Sequence, residues 1–221
     1  MSVINKPAEA VRGPRWRRRK DARPAEIITA ALASFAERGF AATRLDDIAV
    51  RAGVTRGTLY LYFPSKEELF KAVVRETIVP ILARGEAIAA GATGSTAELL
   101  ARLILSFPDA VIGTPISALP KLILAEAQNF PDLAQFYLDE VVQRGKRLLK
   151  GLIQRGIDSG EFRAVDVDQV FFCTIAPIIV AALWQHSFQP YDPAGLDARK
   201  LCQAHVDLLL NGLRAAADSK P

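Results

Sequence analysis

The segment from Phe40 to Phe70 constrains the fold of this chain more than any other part of it. Its sequence is FAATRLDDIAVRAGVTRGTLYLYFPSKEELF. Apolar residues recur there at helical spacing on both sides of Gly53, which predicts two short helices joined by a tight turn, with a longer helix after them. Two short helices that cross at a glycine turn are typical of a helix-turn-helix, the motif that places its second helix in the major groove of DNA.

Capping residues mark the ends of these helices. Thr43, followed three residues later by Asp46, predicts the start of one helix, and Ser65 with Glu68 forms a capping box at the start of a longer one. A preceding helix is predicted to stop at Gly39, since glycine is common just after a helix. The helices predicted for this region span residues 24–38, 43–52 and 55–62, with a fourth from residue 66 onward.

The predicted helix of residues 55–62 has a side that packing does not need. When Leu59 faces the core, the residues that point away are Gly57, Thr58, Tyr60 and Leu61, with Arg56 beside them. Gly57 is a poor helix former, so helix stability does not explain its presence. A bare backbone that can approach a base edge or a thymine methyl group would explain it.

The segment resembles the DNA-binding domain of the TetR (tetracycline-repressor-like) family of transcriptional regulators, whose hallmark is close to TxxxIAxxAGVSxGTLYxYFxSKEEL. The matching residues are Thr43, Ile48, Ala49, Ala52, Gly53, Val54, Thr55, Gly57, Thr58, Leu59, Tyr60, Tyr62, Phe63, Ser65, Lys66, Glu67, Glu68 and Leu69. The match covers about residues 24–72, with Thr55 as a mild departure because serine is commoner there. The resemblance implies an all-α fold, with a three-helix DNA-binding domain in residues 23–72 and a helical bundle for effector binding and dimerisation in residues 73–221.

The resemblance also implies roles for single residues. Base edges would be met by Arg56, Gly57 and Thr58, with Arg44 as a further candidate, because arginine is the usual bidentate reader of guanine. Phosphate contacts, which set register rather than sequence, would come from Thr43, Tyr60, Tyr62 and Lys66. Thr55 and Leu61 complete the predicted DNA-facing set. The alternative is that the two tyrosines only pack and that Arg56 is a solvated charge.

The charge is unevenly distributed along the chain. Residues 1–75 contain 15 Lys/Arg and 8 Asp/Glu, whereas residues 76–221 contain 13 and 16. The basic residues 1–75 suit a polyanionic partner, and the mildly acidic residues 76–221 suit a different role. Residues 1–22 are predicted to form a disordered basic arm, in which the run from Arg15 to Lys20 contacts phosphates or a minor groove. The alternative is a solvated tail.

The rest of the chain is predicted to be helical. Ser95 with Glu98 forms another capping box, opening a helix that ends near Pro108. Further helices are predicted at residues 115–128, 132–158, 167–187 and 196–216. Their apolar faces could line an effector cavity, although most such residues are ordinary core. The candidates for that cavity are Phe107, Leu122, Phe130, Phe136, Phe172 and Trp184.

The last two predicted helices have large apolar faces. In TetR-like proteins the corresponding pair forms a four-helix dimer interface, so the resemblance implies a homodimer. A two-fold dimer also follows from the DNA side, because one short helix contacts too few bases to be specific alone.

Other classes of protein are disfavoured. The chain lacks an acid–base or nucleophile pair, a phosphate-binding loop and metal-ligand spacing, so we expect no enzyme, no cofactor and no metal. No uninterrupted apolar run is long enough for a membrane span and no signal peptide is recognisable, so we expect a cytoplasmic protein. Cys173 and Cys202 are interpreted as small packing residues.

We therefore predict a dimeric repressor that binds a palindromic double-stranded DNA operator and is released by a small apolar effector. Two alternatives stay open: a related ligand-binding protein that activates transcription or has lost DNA binding, and an all-α enzyme that uses the rear cavity. The sequence names neither the operator nor the effector.

Overall fold

A computed structural model of the chain describes residues 18–215, with side chains from residue 23 onward. Within that range the regular structure is helical, and β-type pairing is limited to one isolated bridge between Phe162 and Arg214. The predicted all-α class is thus confirmed. The helices are α1 (Arg18–Arg38), α2 (Leu45–Arg51), α3 (Arg56–Tyr62), α4 (Lys66–Gly91), α5 (Thr96–Phe107), α6 (Ala118–Glu126), α7 (Pro131–Tyr137), α8 (Gln143–Asp158), α9 (Val167–Ser187) and α10 (Ala198–Leu213).

Helix α1 begins earlier than the sequence predicted. It starts at Arg18 and contains Pro24, so residues 18–22 of the predicted disordered arm are helical. Arginine, lysine and alanine are good helix formers, which allows the helix to extend before the proline. Residues 1–17, with the first half of the basic run, lie outside the described residues, and disorder there stays a prediction.

The predicted cap of α2 is wrong. The N-cap residue of α2 is Arg44, which makes no side-chain cap hydrogen bond. Thr43 is only 2% exposed, and its hydroxyl donates to the carbonyl oxygens of Gly39 at 2.6 Å and Ser34 at 3.2 Å. The carbonyls near the end of α1 need donors, and Thr43 supplies one to them instead of accepting from α2.

The other predicted caps form as expected. The Ser65 hydroxyl accepts from the Glu68 backbone N–H at 3.2 Å, and the Ser95 hydroxyl accepts from that of Glu98 at 3.1 Å. These local hydrogen bonds place the starts of α4 and α5 where the sequence predicted them.

The N-terminal unit, which comprises α1–α3 and the start of α4, has a core built around three phenylalanine rings. The C-terminal unit comprises the remaining helices. Phe35, Phe40 and Phe70 have ring centroids between 5.4 and 5.8 Å apart, and Phe70 meets the other two edge-on. The same core continues into the C-terminal unit, because Phe130 packs edge-on against Phe40 at 4.8 Å. Glu126, at the end of α6, also accepts a hydrogen bond from the Ala41 backbone N–H at 3.2 Å. Helix α1 and the loop after it are therefore held by α6 and by the residue before α7, as well as by α4.

Two π-helical turns interrupt the C-terminal unit. One spans Pro108–Ile112 after α5, and the other spans Leu138–Val142 between α7 and α8, inside what the sequence predicted as one helix over residues 132–158. A π turn holds one more residue than an α turn, so it rotates the helical faces on either side of it relative to each other. The apolar faces of α7 and α8 are therefore not collinear.

Helix α9 leaves much of its apolar surface uncovered. It packs against α6, α8 and α10, yet Phe172 is 55% exposed and Cys173 is exposed beside it. The packing interpretation thus holds for Cys202, which is buried, but not for Cys173. By length and composition alone α9 could cross a membrane, as could the bent pair of segments 96–112 and 115–126. Core helices of soluble proteins can have the same length and apolar composition.

Candidate nucleic-acid interface

Helix α3 is anchored by one buried side and presents the other to solvent. Leu59 is fully buried against Ile48 and Ala49 of α2. On the opposite side Leu61 is 79% exposed, although it is a leucine. Arg56, Gly57 and Tyr60 are exposed with it. A large apolar residue held outward next to an arginine suits contact with the apolar and polar edges of bases.

The turn between α2 and α3 has the predicted geometry. Gly53 adopts a φ of +65°, a left-handed conformation that glycine accepts without strain. The Val54 backbone N–H donates to the Ala49 carbonyl at 3.0 Å, which closes the turn. The Thr55 hydroxyl then caps α3 by accepting from the Thr58 N–H at 3.2 Å. Thr55 and Thr58 are therefore used in part to start the helix.

The position of Gly57 is not required by the fold. A Cβ atom built there meets nothing within 4 Å, and its backbone has an ordinary helical φ. Alanine would fit and would stabilise a helix better. Packing within the chain therefore does not require glycine here, and the first turn of α3 presents bare backbone to solvent.

Arg56 lies at the edge of this exposed side and is partly restrained. Its side chain is 68% exposed, with Nε 3.2 Å from Oδ1 of Asp46 and Nη1 3.3 Å from Oδ2. Its guanidinium carbon also lies 5.4 Å from the centre of the Tyr60 ring. Arg44 is exposed as well, at the start of α2. Of the predicted base-facing residues, Arg56, Gly57 and Thr58 thus share the first turn of α3, and Arg44 belongs to a different helix start.

Other arginines beside this surface are paired within the protein. The guanidinium of Arg51 makes a bidentate ion pair with the Glu37 carboxylate, with Nη1–Oε2 and Nη2–Oε1 distances of 2.6 and 2.7 Å. This pairing holds the pKa of Glu37 below its usual value. Arg38 pairs with Asp47 at 2.7 Å. These exposed pairs join α1 to α2 and reduce the positive field next to α3.

Two residues predicted to contact phosphate are used inside the protein. The Lys66 Nζ donates to the carbonyl oxygens of Phe40 at 2.8 Å, Ala41 at 3.1 Å and Thr43 at 3.1 Å. Burial lowers its pKa. With the Thr43 hydroxyl also bonded internally, both side chains hold the α1–α2 loop. The sequence could not show this role of Lys66, because its acceptors lie more than twenty residues away along the chain.

Tyr60 and Tyr62 differ in their surroundings. Tyr60 is exposed on the DNA-facing side, whereas Tyr62 is half-buried and packs against the N-terminal core. Asp46, which the sequence suggested only as a helix-start residue, is a charged neighbour of Arg56 that sequence reasoning missed. The residues predicted to contact DNA differ in exposure: Thr43 is buried, Thr58, Tyr62 and Lys66 are partly buried, and Arg44, Thr55, Arg56, Gly57, Tyr60 and Leu61 are exposed. Their contact with DNA stays a prediction.

The six residues predicted for an effector cavity do not share one place. Leu122, Phe130 and Phe136 belong to the core that joins the two units, and Phe107 packs against two separate rear clusters. The remaining two lie on α9, where Phe172 faces solvent and the Trp184 ring stands 5.1 Å from that of Phe188. The Trp184 indole N–H and the Gln185 side-chain oxygen are buried, and neither has a hydrogen-bond partner in the described structure.

These features define a helix-turn-helix, a motif of DNA-binding proteins, with α3 in the position of its second helix. Residues 27–73 match the family described as "Bacterial regulatory proteins, tetR family", and residues 90–199 match "Tetracyclin repressor-like, C-terminal domain". The chain belongs to the TetR family of transcriptional regulators. It is a DNA-binding regulator of the repressor type and not an enzyme.

Relatives with known names are similar over most of their length. The "HTH-type transcriptional repressor KstR2" of Mycolicibacterium smegmatis is 30% identical over 200 residues, which are 88% of this chain and 92% of the relative. The solved structure of the "ketosteroid transcriptional regulator KstR2" of Mycobacterium tuberculosis is 28% identical, with a TM-score of 0.67, and the match covers 88% of this chain and 96% of that one. The transcriptional regulator FadR of Bacillus subtilis, solved in complex with stearoyl-CoA, is 26% identical, with a TM-score of 0.63 and coverage of 85% and 98%.

Proposed function

We propose that this protein is a homodimeric repressor that binds a palindromic operator in the cytoplasm and is released by a small, largely apolar effector. Residues 23–72 bind DNA in this proposal, and residues 73–221 bind the effector and form the dimer. The observation that carries the DNA side is Gly57, which has open space where a side chain would be, on the exposed side of α3. In this proposal the edge of a base approaches the backbone of α3 closely and occupies that space.

The roles of the contacting residues follow from their chemistry. Arg56, Gly57 and Thr58 meet base edges, and Arg44 is a further base contact at the start of α2. Tyr60 donates its hydroxyl to a phosphate and sets the register. Thr55 and Leu61 border the contact, with the exposed Leu61 side chain suited to a thymine methyl group.

The dimer is supported by the apolar surface of α9 and α10. Phe172 and Val180 of α9 and Leu208 of α10 are exposed in a single chain, with Leu208 at 73%. Exposed apolar side chains of this size on two helices that pack together favour an additional covering surface. A second copy related by a two-fold axis would cover both faces and would present two α3 helices to successive major grooves, about 34 Å apart.

The effector is proposed to be a fatty acyl-CoA or another molecule with a comparably large apolar skeleton. Support comes from relatives in which one regulator was solved with stearoyl-CoA and another is called a ketosteroid regulator. The buried polar atoms of Trp184 and Gln185 lack protein partners, and buried polar groups are normally paired. A bound molecule with both an apolar body and polar groups would supply those partners.

Binding to DNA from the promoter region of its own gene, measured by gel shift, tests the proposal. We expect a specific shifted complex that Arg56→Ala weakens by roughly 1–3 kcal/mol and that stearoyl-CoA dissolves. Absence of a complex would favour the alternative in which DNA binding has been lost. A complex that raises transcription of a reporter would favour an activator.

A further inference from the structure

Helix α2 opens with two adjacent carboxylates that have different partners. Asp47 pairs with Arg38 of α1 at 2.7 Å, an ion pair that joins two helices of the scaffold. Asp46 pairs with Arg56 of α3, the residue proposed to read a base. Neither side chain caps α2, although both lie in its first turn, where a carboxylate interacts favourably with the helix dipole.

The pairing of Asp46 with Arg56 leaves the reading edge of the arginine available. Asp46 faces Nε and one side of Nη1, at 3.2 and 3.3 Å. A guanidinium has five N–H groups, so the remaining N–H groups of Nη1 and Nη2 still form a fork that matches O6 and N7 of guanine. The Oδ1 atom of Asp46 is screened from solvent and has no hydrogen-bond partner in the described structure, so its approach to Nε is electrostatic and the Nη1–Oδ2 hydrogen bond gives the pair its direction. The Tyr60 ring restrains the same guanidinium at 5.4 Å.

We propose that Asp46 is a positioning residue for operator recognition: it holds the Arg56 guanidinium in the orientation that meets one base pair in each half-site. This inference rests on the proposed function of Arg56. A long arginine side chain loses many conformations when it binds, and a carboxylate that restrains it beforehand reduces that loss. Asp46 also carries a negative charge toward the phosphates, so it opposes binding to any DNA while it favours the correct sequence.

Asp47 provides a matched control. Asp47→Asn removes the same charge from the same first turn of α2, with the same loss of interaction with the helix dipole, and it also breaks one exposed ion pair. The two variants differ in the partner arginine. A difference between them in base preference is therefore due to Arg56.

The experiment uses the full-length protein and fluorescence anisotropy at one salt concentration. The DNA set is the operator, the operator with each base pair substituted in turn, and an unrelated duplex. Arg56→Ala should lose roughly 5- to 150-fold of discrimination at one base pair in each half-site. Asp46→Asn should lose about 3- to 10-fold at the same base pair and should bind the unrelated duplex about twofold more tightly. Asp47→Asn should keep the discrimination of the wild type.

A double-mutant cycle completes the test. With Arg56 replaced by alanine, adding Asp46→Asn should cause no further loss of discrimination, because Asp46 acts through Arg56. Should Asp46→Asn fail to fold, as judged by circular dichroism, Asp46→Ser takes its place in the same comparison.

The outcomes separate this inference from the proposed function. If Arg56→Ala leaves discrimination intact, the proposed role of Arg56 is wrong and the inference falls with it. If Arg56→Ala loses discrimination while Asp46→Asn keeps it, only the positioning role is wrong. Tighter operator binding by Asp46→Asn with unchanged discrimination would mean that Asp46 restrains Arg56 away from DNA. If the Asp46 and Asp47 variants lose discrimination equally, both losses come from changes at the start of α2, and the positioning role is wrong.

Discussion

The two units of this molecule are organised by different kinds of contact. In the N-terminal unit, helices start at hydroxyl caps such as Thr55 and Ser65, turn at Gly53 and close over three phenylalanine rings. In the C-terminal unit, π turns break the helices, and apolar side chains such as Leu208 remain exposed. The helix starts and the glycine turn of the first unit are specified by residues close in sequence, whereas its α1–α2 loop also depends on Lys66 and Phe130. The second depends on distant neighbours and, in the proposed dimer, on another copy of the chain.

The largest expected effect tests whether the C-terminal unit depends on a second copy of the chain, through the exposed apolar residue Leu208 of α10. Leu208→Arg should disrupt the dimer, because an unpaired charge in an apolar interface costs about 3–5 kcal/mol. The single chain should keep its fold, since Leu208 is exposed within it. Analytical ultracentrifugation should show monomers, and operator affinity should fall sharply.

Leu124→Arg on α6 is the control, because Leu124 is also exposed, at 62%, but belongs to neither of the two helices that are proposed to form the interface. It should remain dimeric. A Leu208→Arg protein that stays dimeric would place the interface elsewhere, and the exposed apolar faces would need another explanation.

The next prediction concerns the α1–α2 loop. Lys66→Met keeps the apolar part of the side chain but leaves three carbonyl oxygens without their charged donor. Hydrogen bonds to charged groups are strong, so we expect a loss of about 2–3 kcal/mol in the free energy of unfolding, measured by urea denaturation.

Lys71→Met serves as the reference variant, because the Lys71 ammonium pairs with Glu68, three residues earlier in α4, and lies over the Phe136 ring instead of binding loop carbonyls. Its effect should stay within about 0.5 kcal/mol. A loss of operator affinity in Lys66→Met without any loss of stability would restore the phosphate contact that the sequence suggested.

A smaller effect with opposite signs is expected at Gly57. Gly57→Ala should stabilise the protein by up to about 1 kcal/mol, because alanine favours the helix and its Cβ has open space. The same methyl group should weaken operator binding by about tenfold or more, because it separates α3 from the base edges. Thermal unfolding and anisotropy measure the two effects.

Gly151→Ala in α8 is the matched substitution, since a Cβ there also meets nothing within 4 Å. It should stabilise the protein and leave DNA binding unchanged. If Gly57→Ala behaves in the same way, Gly57 is not at the contact surface.

The smallest expected effect is the pH dependence of His186. The imidazole is hydrogen-bonded to Ser117 at 2.8 Å, and burial together with Lys121 lowers its pKa below the usual 6.5. Below pH 6.5 the unfolded chain binds a proton at this site that the native protein does not, so stability falls as the pH decreases. His186→Gln should flatten the dependence of the melting temperature on pH in this range. An unchanged pH dependence would assign the acid sensitivity to other groups.

The sequence predicted those features that depend on near neighbours. The Gly53 turn and the Ser65 and Ser95 caps are each formed by residues at most five positions apart. It was wrong about Thr43 because the carbonyls that the hydroxyl contacts belong to a different helix end. It placed phosphate contact on Lys66 because the loop carbonyls that surround the ammonium cannot be recognised from spacing.

The sequence indicated which side of α3 is exposed, but it did not indicate how the six candidates for the effector cavity lie relative to one another. Periodicity around Leu59 tells which residues of a short helix face away from its core. It does not tell which apolar faces from distant helices meet, so Phe130 was grouped with Phe172 although the first packs on Phe40 and the second faces solvent. The π turn after α7 further changes the direction of faces that spacing alone would align.

The contact of Phe130 and Glu126 with the α1–α2 loop bears on how the protein can be re-engineered. A chimaera that moves residues 23–72 onto the effector domain of another regulator would leave the Phe40 ring uncovered and the Ala41 N–H without its carboxylate acceptor. Both contacts come from the segment 118–137, which such a chimaera would replace because it lies beyond residue 72. Exchange of DNA specificity between such regulators should therefore succeed more often by grafting the exposed residues of α3 than by transplanting the whole N-terminal unit.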